Sequence, residues 1–172
     1  MNVSLKKLSV SAIYTGLALI AFMLESLFPP LIIPGARLGL SNVFILIIAI
    51  TVGTPHAIYA VIIKGLIGSI FSGNLSAIIY SLPAGLVSII VQIILLRFTD
   101  KFSVIAISTT GSTINLITQT LIFCLITSGF KFLIYLPYLT LIGIVSGFTV
   151  GFAVYLIIKR LPKAIIISEE KF

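Results

Sequence analysis

The sequence predicts an all-α integral membrane protein, a bundle of six transmembrane helices forming one membrane domain over residues 1–172. Three observations predict it. Charged residues make up only 9% of the chain against 59% hydrophobic residues, with a mean hydropathy of +1.30. A water-facing surface takes about 25% charge, so the outer solvent of this chain has to be lipid. The apolar stretches approach or exceed the 20 or so helical residues needed to cross hydrocarbon. Finally, the net charge of +7 comes from cations at the ends of those stretches. That placement suits anionic lipid headgroups and no nucleic-acid partner.

The first helix is expected over about 8–28, between Lys6-Lys7 and Pro29-Pro30. It is too long for a cleavable signal core, so it reads as a membrane helix. After a Pro- and Gly-rich loop, the second apolar run covers about 39–52 and ends at Gly53-Thr54-Pro55. At about 14 residues it is short for a span, which suggests a tilted or partly re-entrant helix. Pro55 suits the first turn of the third helix, 55–71, where its missing N–H costs nothing. A turn at Ser72-Gly73-Asn74 leads to the fourth, 75–96, with Pro83 and Gly85 in its middle. The polar loop Arg97–Lys101 precedes the fifth, 102–127. The sixth, 132–158, starts after Ser128–Lys131 and ends at Lys159-Arg160.

Counting Lys and Arg sets the orientation. With the N-terminus inside, Lys6, Lys7, Arg97, Lys101, Lys159, Arg160, Lys163 and Lys171 are cytoplasmic, against Arg37 and Lys131 outside. That positive-inside bias places both termini in the cytoplasm and the loop around Arg37 on the outer side.

Several chemistries are excluded. The four acids, Glu25, Asp100, Glu169 and Glu170, are too few and too dispersed for paired-carboxylate catalysis or a carboxylate metal cage. His56 has no second ligand nearby in sequence, so no metal is expected, and Cys124 reads as a buried, inert thiol. No P-loop is present, so the chain cannot drive transport by hydrolysing ATP itself. No catalytic residue and no cofactor are expected.

Polar residues inside the apolar runs carry more information, because burying them in hydrocarbon costs a few kcal/mol unless they are paired or face water. They are Glu25, Asn42, His56, Lys64, Gln92, Asn115 and Gln119. Lys64 lies about ten residues into the third helix, near mid-depth. Asn115 and Gln119, four apart, share one face of the fifth. With Lys64 they could line a polar cavity opening outward beneath the Arg37 loop. Alternatively, Lys64 pairs with Glu25 and the amides bond between helices. Tyr80, Tyr135 and Tyr138 are the aromatics placed to reach a planar ligand. Small residues mark close helix approach. Gly143, Gly147 and Gly151 form one stripe, read as internal packing. Ser9, Ala12 and Gly16 form another on the first helix, read either as packing or as a docking face for a second membrane subunit.

The stretch Pro34-Gly-Ala-Arg-Leu-Gly-Leu-Ser-Asn42, with Ser81-Leu-Pro-Ala-Gly85 and Asn115-Leu-Ile-Thr-Gln119, resembles a bacterial family called Gx transporters. The family is also named heptaprenyl diphosphate synthase component I. The resemblance covers about residues 8–160, and at Pro83-Ala84 the chain departs from the family's usual pair of glycines. The family in turn is similar to the substrate-binding S components of energy-coupling factor transporters. What this implies is a subunit of the bacterial cell membrane that takes a small molecule from outside under the first loop. The substrate would be anionic or amphipathic, such as a vitamin, a flavin or an isoprenoid-like compound, with Arg37, Asn42, Lys64, Asn115 and Gln119 in its site. A transmembrane coupling subunit and cytoplasmic ATPases would be partners, docked through Ser9, Ala12 and Gly16. The other reading is a non-catalytic membrane component associated with heptaprenyl diphosphate synthase. Prenyl diphosphate synthases hold magnesium with acidic clusters, and a chain with Asp100 as its only aspartate does not fit that catalysis.

Overall fold

The computed structural model describes residues 3–27, 39–73, 75–98 and 102–162. The described residues are helical throughout, without a strand: α1 (Val3–Ser26), α2 (Ser41–Thr51), α3 (Thr54–Phe71), α4 (Ala77–Leu96), α5 (Val104–Thr127), and α6 (Leu136–Arg160), entered through a 3-10 turn, Phe130–Tyr135. Five of them, all but α2, are long and apolar enough to cross a membrane.

The expected second span is corrected in part. α2 has 11 residues, about 16 Å of helix where hydrocarbon is about 30 Å thick. Nine of the 11 are buried. Its residues from Ile45 to Ala49 are at most 3% exposed and form the centre of the main core. α2 is therefore a buried helix packed mainly between α1, α3 and α6, apolar on all sides because protein surrounds it.

Helix ends shift for local reasons. α1 starts at Val3, so Lys6 and Lys7 lie within its first turns rather than ahead of it; lysine is a good helix former, and both side chains are only half-buried. Pro55 stands in the first turn of α3, and Pro83 is accommodated inside a continuous α4. At the start of α5 the Ser103 hydroxyl accepts the Ala106 N–H at 3.2 Å. Replacing this cap, Ser103→Ala, is expected to lower stability by about 1 kcal/mol, read from a denaturation curve of the purified protein.

Hydroxyls in a bilayer need partners, and the threonines of α5 find them in its own backbone. Thr109, Thr113 and Thr120 each donate to the carbonyl four residues back at 2.8 Å. The outer faces are hydrocarbon: Leu8, Ile13, Ile20, Ile70, Ile79, Leu125, Leu141 and Val145 are all more than half exposed, as lipid-facing side chains would be.

The helices alternate in direction. Gly65 of α3 meets Leu82 of α4 while Gly85 meets Val61, so these two run antiparallel. The connections α1–α2, α3–α4 and α5–α6 therefore share one end of the bundle. Lys131 lies at that end, while Lys6, Lys7, Arg97, Lys159 and Arg160 lie at the other.

Candidate functional site

The site lies toward the end where α1 leaves the bundle and α2 enters it, and its polarity begins with the short segment joining them. Gly39 has φ +82°, a left-handed conformation that side chains disfavour, and a Cβ there would stand 3.1 Å from Asn42 Nδ2. The turn at Gly39 leaves Leu40 exposed and brings Ser41 and Asn42 inward. Glu25, one residue from the end of α1, accepts the Leu40 N–H on Oε1 at 2.6 Å. A carboxylate there complements the positive end of the α2 dipole.

Lys64 reaches the same place from α3. Its Nζ donates to Asn42 Oδ1 at 2.9 Å and to Ser41 Oγ at 3.3 Å, and stands 5.8 Å from the centroid of the Phe22 ring. The residue is only 9% exposed. A charge so placed is kept only where several oxygens surround it.

Across from Lys64, α5 contributes Asn115 and Gln119. Together these side chains line one cavity of about 50 Å³, with Phe22, Glu25, Ser41 and Asn42 on the facing wall and Ser81 and Gly85 of α4 at its side. A narrower pocket of about 10 Å³ continues from Asn42, Lys64 and Asn115 to Ser88 and Gln92 of α4. Ser88 itself donates to the Gly111 carbonyl at 2.8 Å. Asn115 Oδ1 and Gln119 Nε2 are buried without a hydrogen-bond partner, as are Ser108 Oγ and Ser112 Oγ elsewhere on α5. Each such orphan costs about 1–3 kcal/mol, so the fold carries this arrangement at the expense of its own stability.

Four residues singled out in the sequence, Asn42, Lys64, Asn115 and Gln119, thus meet at one cavity. Arg37 lies outside the described residues. Glu25 lines the cavity as well, holding the turn into α2. Tyr80, Tyr135 and Tyr138 do not reach the cavity. Tyr80 packs edge-on to Phe123 at 5.7 Å, and Tyr135 and Tyr138 are exposed. Ser41 and Phe22 were not legible as site residues, because only the turn at Gly39 and the approach of α1 to α3 bring them in.

The remaining sequence motifs lie elsewhere. Gly143, Gly147 and Gly151 face the α5 backbone at Thr113, Thr109 and Ile105. Ser9 and Ala12 are exposed on α1, and nothing comes within 4 Å of a Cβ placed on Gly16. Cys124 is buried and free. Among the described residues no group of three His, Cys, Asp or Glu side chains gathers.

Fold and site define a helical, membrane-type protein in which several polar side chains from its apolar helices converge on a cavity. The chain belongs to the family described as heptaprenyl diphosphate synthase component I, whose model matches residues 14–157. No curated protein and no solved structure matches the chain.

Proposed function

We propose that this chain is the substrate-binding membrane subunit of a multi-subunit transporter for a small anionic or amphipathic molecule, and that it performs no catalysis itself. One observation carries the reading: a lysine from α3 and two amides from α5, among otherwise apolar helices, line one cavity. A void with a few convergent polar side chains is what a ligand fills, with Lys64 neutralising negative charge and Asn115 and Gln119 orienting a polar group.

Six crossing segments with α2 inserted only in part, both termini cytoplasmic, and the cavity facing outward are the topology that goes with it. The five described basic residues at the end opposite the cavity support this by the positive-inside bias. Energy would come from cytoplasmic ATPases acting through a coupling subunit, since the sequence has no nucleotide-binding loop. The open face at Ser9, Ala12 and Gly16 is where that subunit would pack. Gly16→Leu is expected to leave the isolated chain's melting temperature unchanged and to reduce recovery of the coupling subunit on affinity purification at least tenfold.

The deciding experiment is mass spectrometry of small molecules co-purifying with the protein, paired with direct binding to the Arg37→Ala variant. Bound ligand in the wild type, weakened by the substitution, supports a binding subunit with the first loop at its mouth. A ligand-free protein accompanied by a prenyl synthase instead of ATPases supports the second reading. In that reading, favoured by the family's description, the chain is a non-catalytic membrane component associated with heptaprenyl diphosphate synthase.

A further inference from the structure

The connection between α5 and α6 carries a surface that neither the cavity nor the helix packing uses. We propose that the turn Phe130–Tyr135 binds an anionic phospholipid, with the phosphate on Lys131 and the upper part of an acyl chain along Ile134. The inference requires only that the helices cross a bilayer, and it is independent of what the cavity binds.

Depth places the turn among headgroups. α5 has 24 residues and α6 has 25, about 36 Å of helix or more in each case. Hydrocarbon is about 30 Å thick, so the 3-10 turn between them is carried to the membrane surface. A 3-10 helix has three residues per turn, so side chains three apart stand over one another. Lys131 therefore shares an edge with Ile134, and both are exposed, Ile134 to 78%. Phe130 and Tyr135 are exposed beside them, and with Phe132 these residues line an open groove. Cation, aliphatic side chain and tyrosine together match the boundary between headgroup and acyl chain.

The groove is held open by the bundle. Phe132 packs edge-on to Phe123 of α5 at 5.3 Å, and Phe123 packs edge-on to Tyr80 of α4 at 5.7 Å. A Cβ on Gly129 would stand 2.9 Å from the Phe132 ring, so the turn is closely seated. Charge then selects the occupant. Glu25 is the one acid among the described residues, and it is buried against the Leu40 N–H. The described protein thus offers Lys131 no exposed carboxylate, and at the membrane surface the abundant anion is lipid phosphate.

The chain has no tryptophan, so Ile134→Trp supplies a single fluorophore in the groove. The full-length variant is reconstituted into vesicles of phosphatidylcholine mixed with phosphatidylglycerol, one of the two carrying brominated chains that quench tryptophan. Phosphatidylglycerol is expected to occupy the groove about fivefold more strongly than phosphatidylcholine, the preference one lysine near anionic headgroups supports. Adding Lys131→Gln should bring the ratio to about one, and Lys131→Arg should keep it, because one charge is what the preference rests on. Val145→Trp, deeper along α6 and 65% exposed to lipid, should show no preference. Phe130→Trp, aromatic for aromatic, repeats the measurement from the other side of the groove. Equal quenching by the two lipids overturns the site, as does a preference that survives Lys131→Gln. The same preference at Val145→Trp would mean general enrichment of anionic lipid and also overturns it. Weak quenching by both lipids at positions 130 and 134 would show the groove covered by protein instead of lipid, which overturns it as well.

Discussion

Lys64→Met should abolish tight ligand binding without unfolding the protein. The ammonium is the one described cation inside the cavity, held by Asn42 and Ser41 and standing over the Phe22 ring. An interaction between this charge and an anionic or strongly polar ligand group is worth about 1.5–3 kcal/mol, so its loss weakens binding roughly ten- to a hundredfold. Met keeps most of the side-chain length and brings an apolar end toward the Phe22 ring, where the ammonium stands. Removing a buried charge removes its desolvation cost but leaves Asn42 Oδ1 and Ser41 Oγ without their donor, so the melting temperature should fall only modestly. Isothermal titration with whichever ligand co-purifies checks the first part and a thermal melt the second. Unchanged affinity would mean that the ligand never meets Lys64. A collapsed melt with no folded protein would mean that Lys64 is structural, tying α3 to the start of α2. Lys64→Arg separates these outcomes further: it keeps the charge but brings a planar fork into about 50 Å³. It should restore folding in the structural case and not binding in the ligand case.

The site is legible where a residue contradicts its surroundings. A lysine near the middle of a membrane helix, and two amides four apart on another, violate the apolar pattern around them, so each stands out singly. That they meet Asn42 at one cavity depends on which faces of α2, α3 and α5 turn inward. The chain gives little help there, because helices buried in protein on one side and lipid on the other are apolar on both. Phe22 shows the difficulty: it is one phenylalanine among 12, and only the close approach of α1 to α3 makes it a wall of the site. The role of α2 is hidden for a related reason. Hydropathy is as high for a helix sheathed in protein as for one that spans lipid, and length alone separates the two. Glu25 is visible as an intramembrane acid, yet its bond to the Leu40 N–H depends on a left-handed turn at Gly39. A pattern of residue types does not encode that geometry.

Gly147→Leu should cost more stability than any substitution at the cavity or on the open face of α1. α5 and α6 form the most extensive helix pair in the fold, and their glycine seam has a regular antiparallel register. Positions 143, 147 and 151 descend α6 as Thr113, Thr109 and Ile105 are met on α5. A Cβ on Gly147 would stand 2.5 Å from Thr109 Cα and 2.9 Å from the Ser108 carbonyl oxygen. Both are backbone atoms, so no side chain can rotate away and the helices have to separate. In lipid that separation is serious, since packing at close range, with no hydrophobic drive, is what holds the pair together. Overpacking typically costs about 1–3 kcal/mol. With a leucine against backbone about 3 kcal/mol or more is expected, a large part of a total of about 5–15 kcal/mol. A detergent-unfolding titration would read this loss, with Gly147→Ala intermediate. Gly16→Ala is the control: nothing lies within 4 Å of its Cβ, and relief from glycine in a helix should leave stability equal or up to about 1 kcal/mol higher. The seam also reaches the cavity. Gly143 abuts Thr113 and Leu116, which flank Asn115, so Gly143→Ala should shift the α5 face and weaken ligand binding even where the protein still folds. Loss of stability with intact affinity in that variant would instead show that α5 holds Asn115 and Gln119 through its contacts with α4 alone.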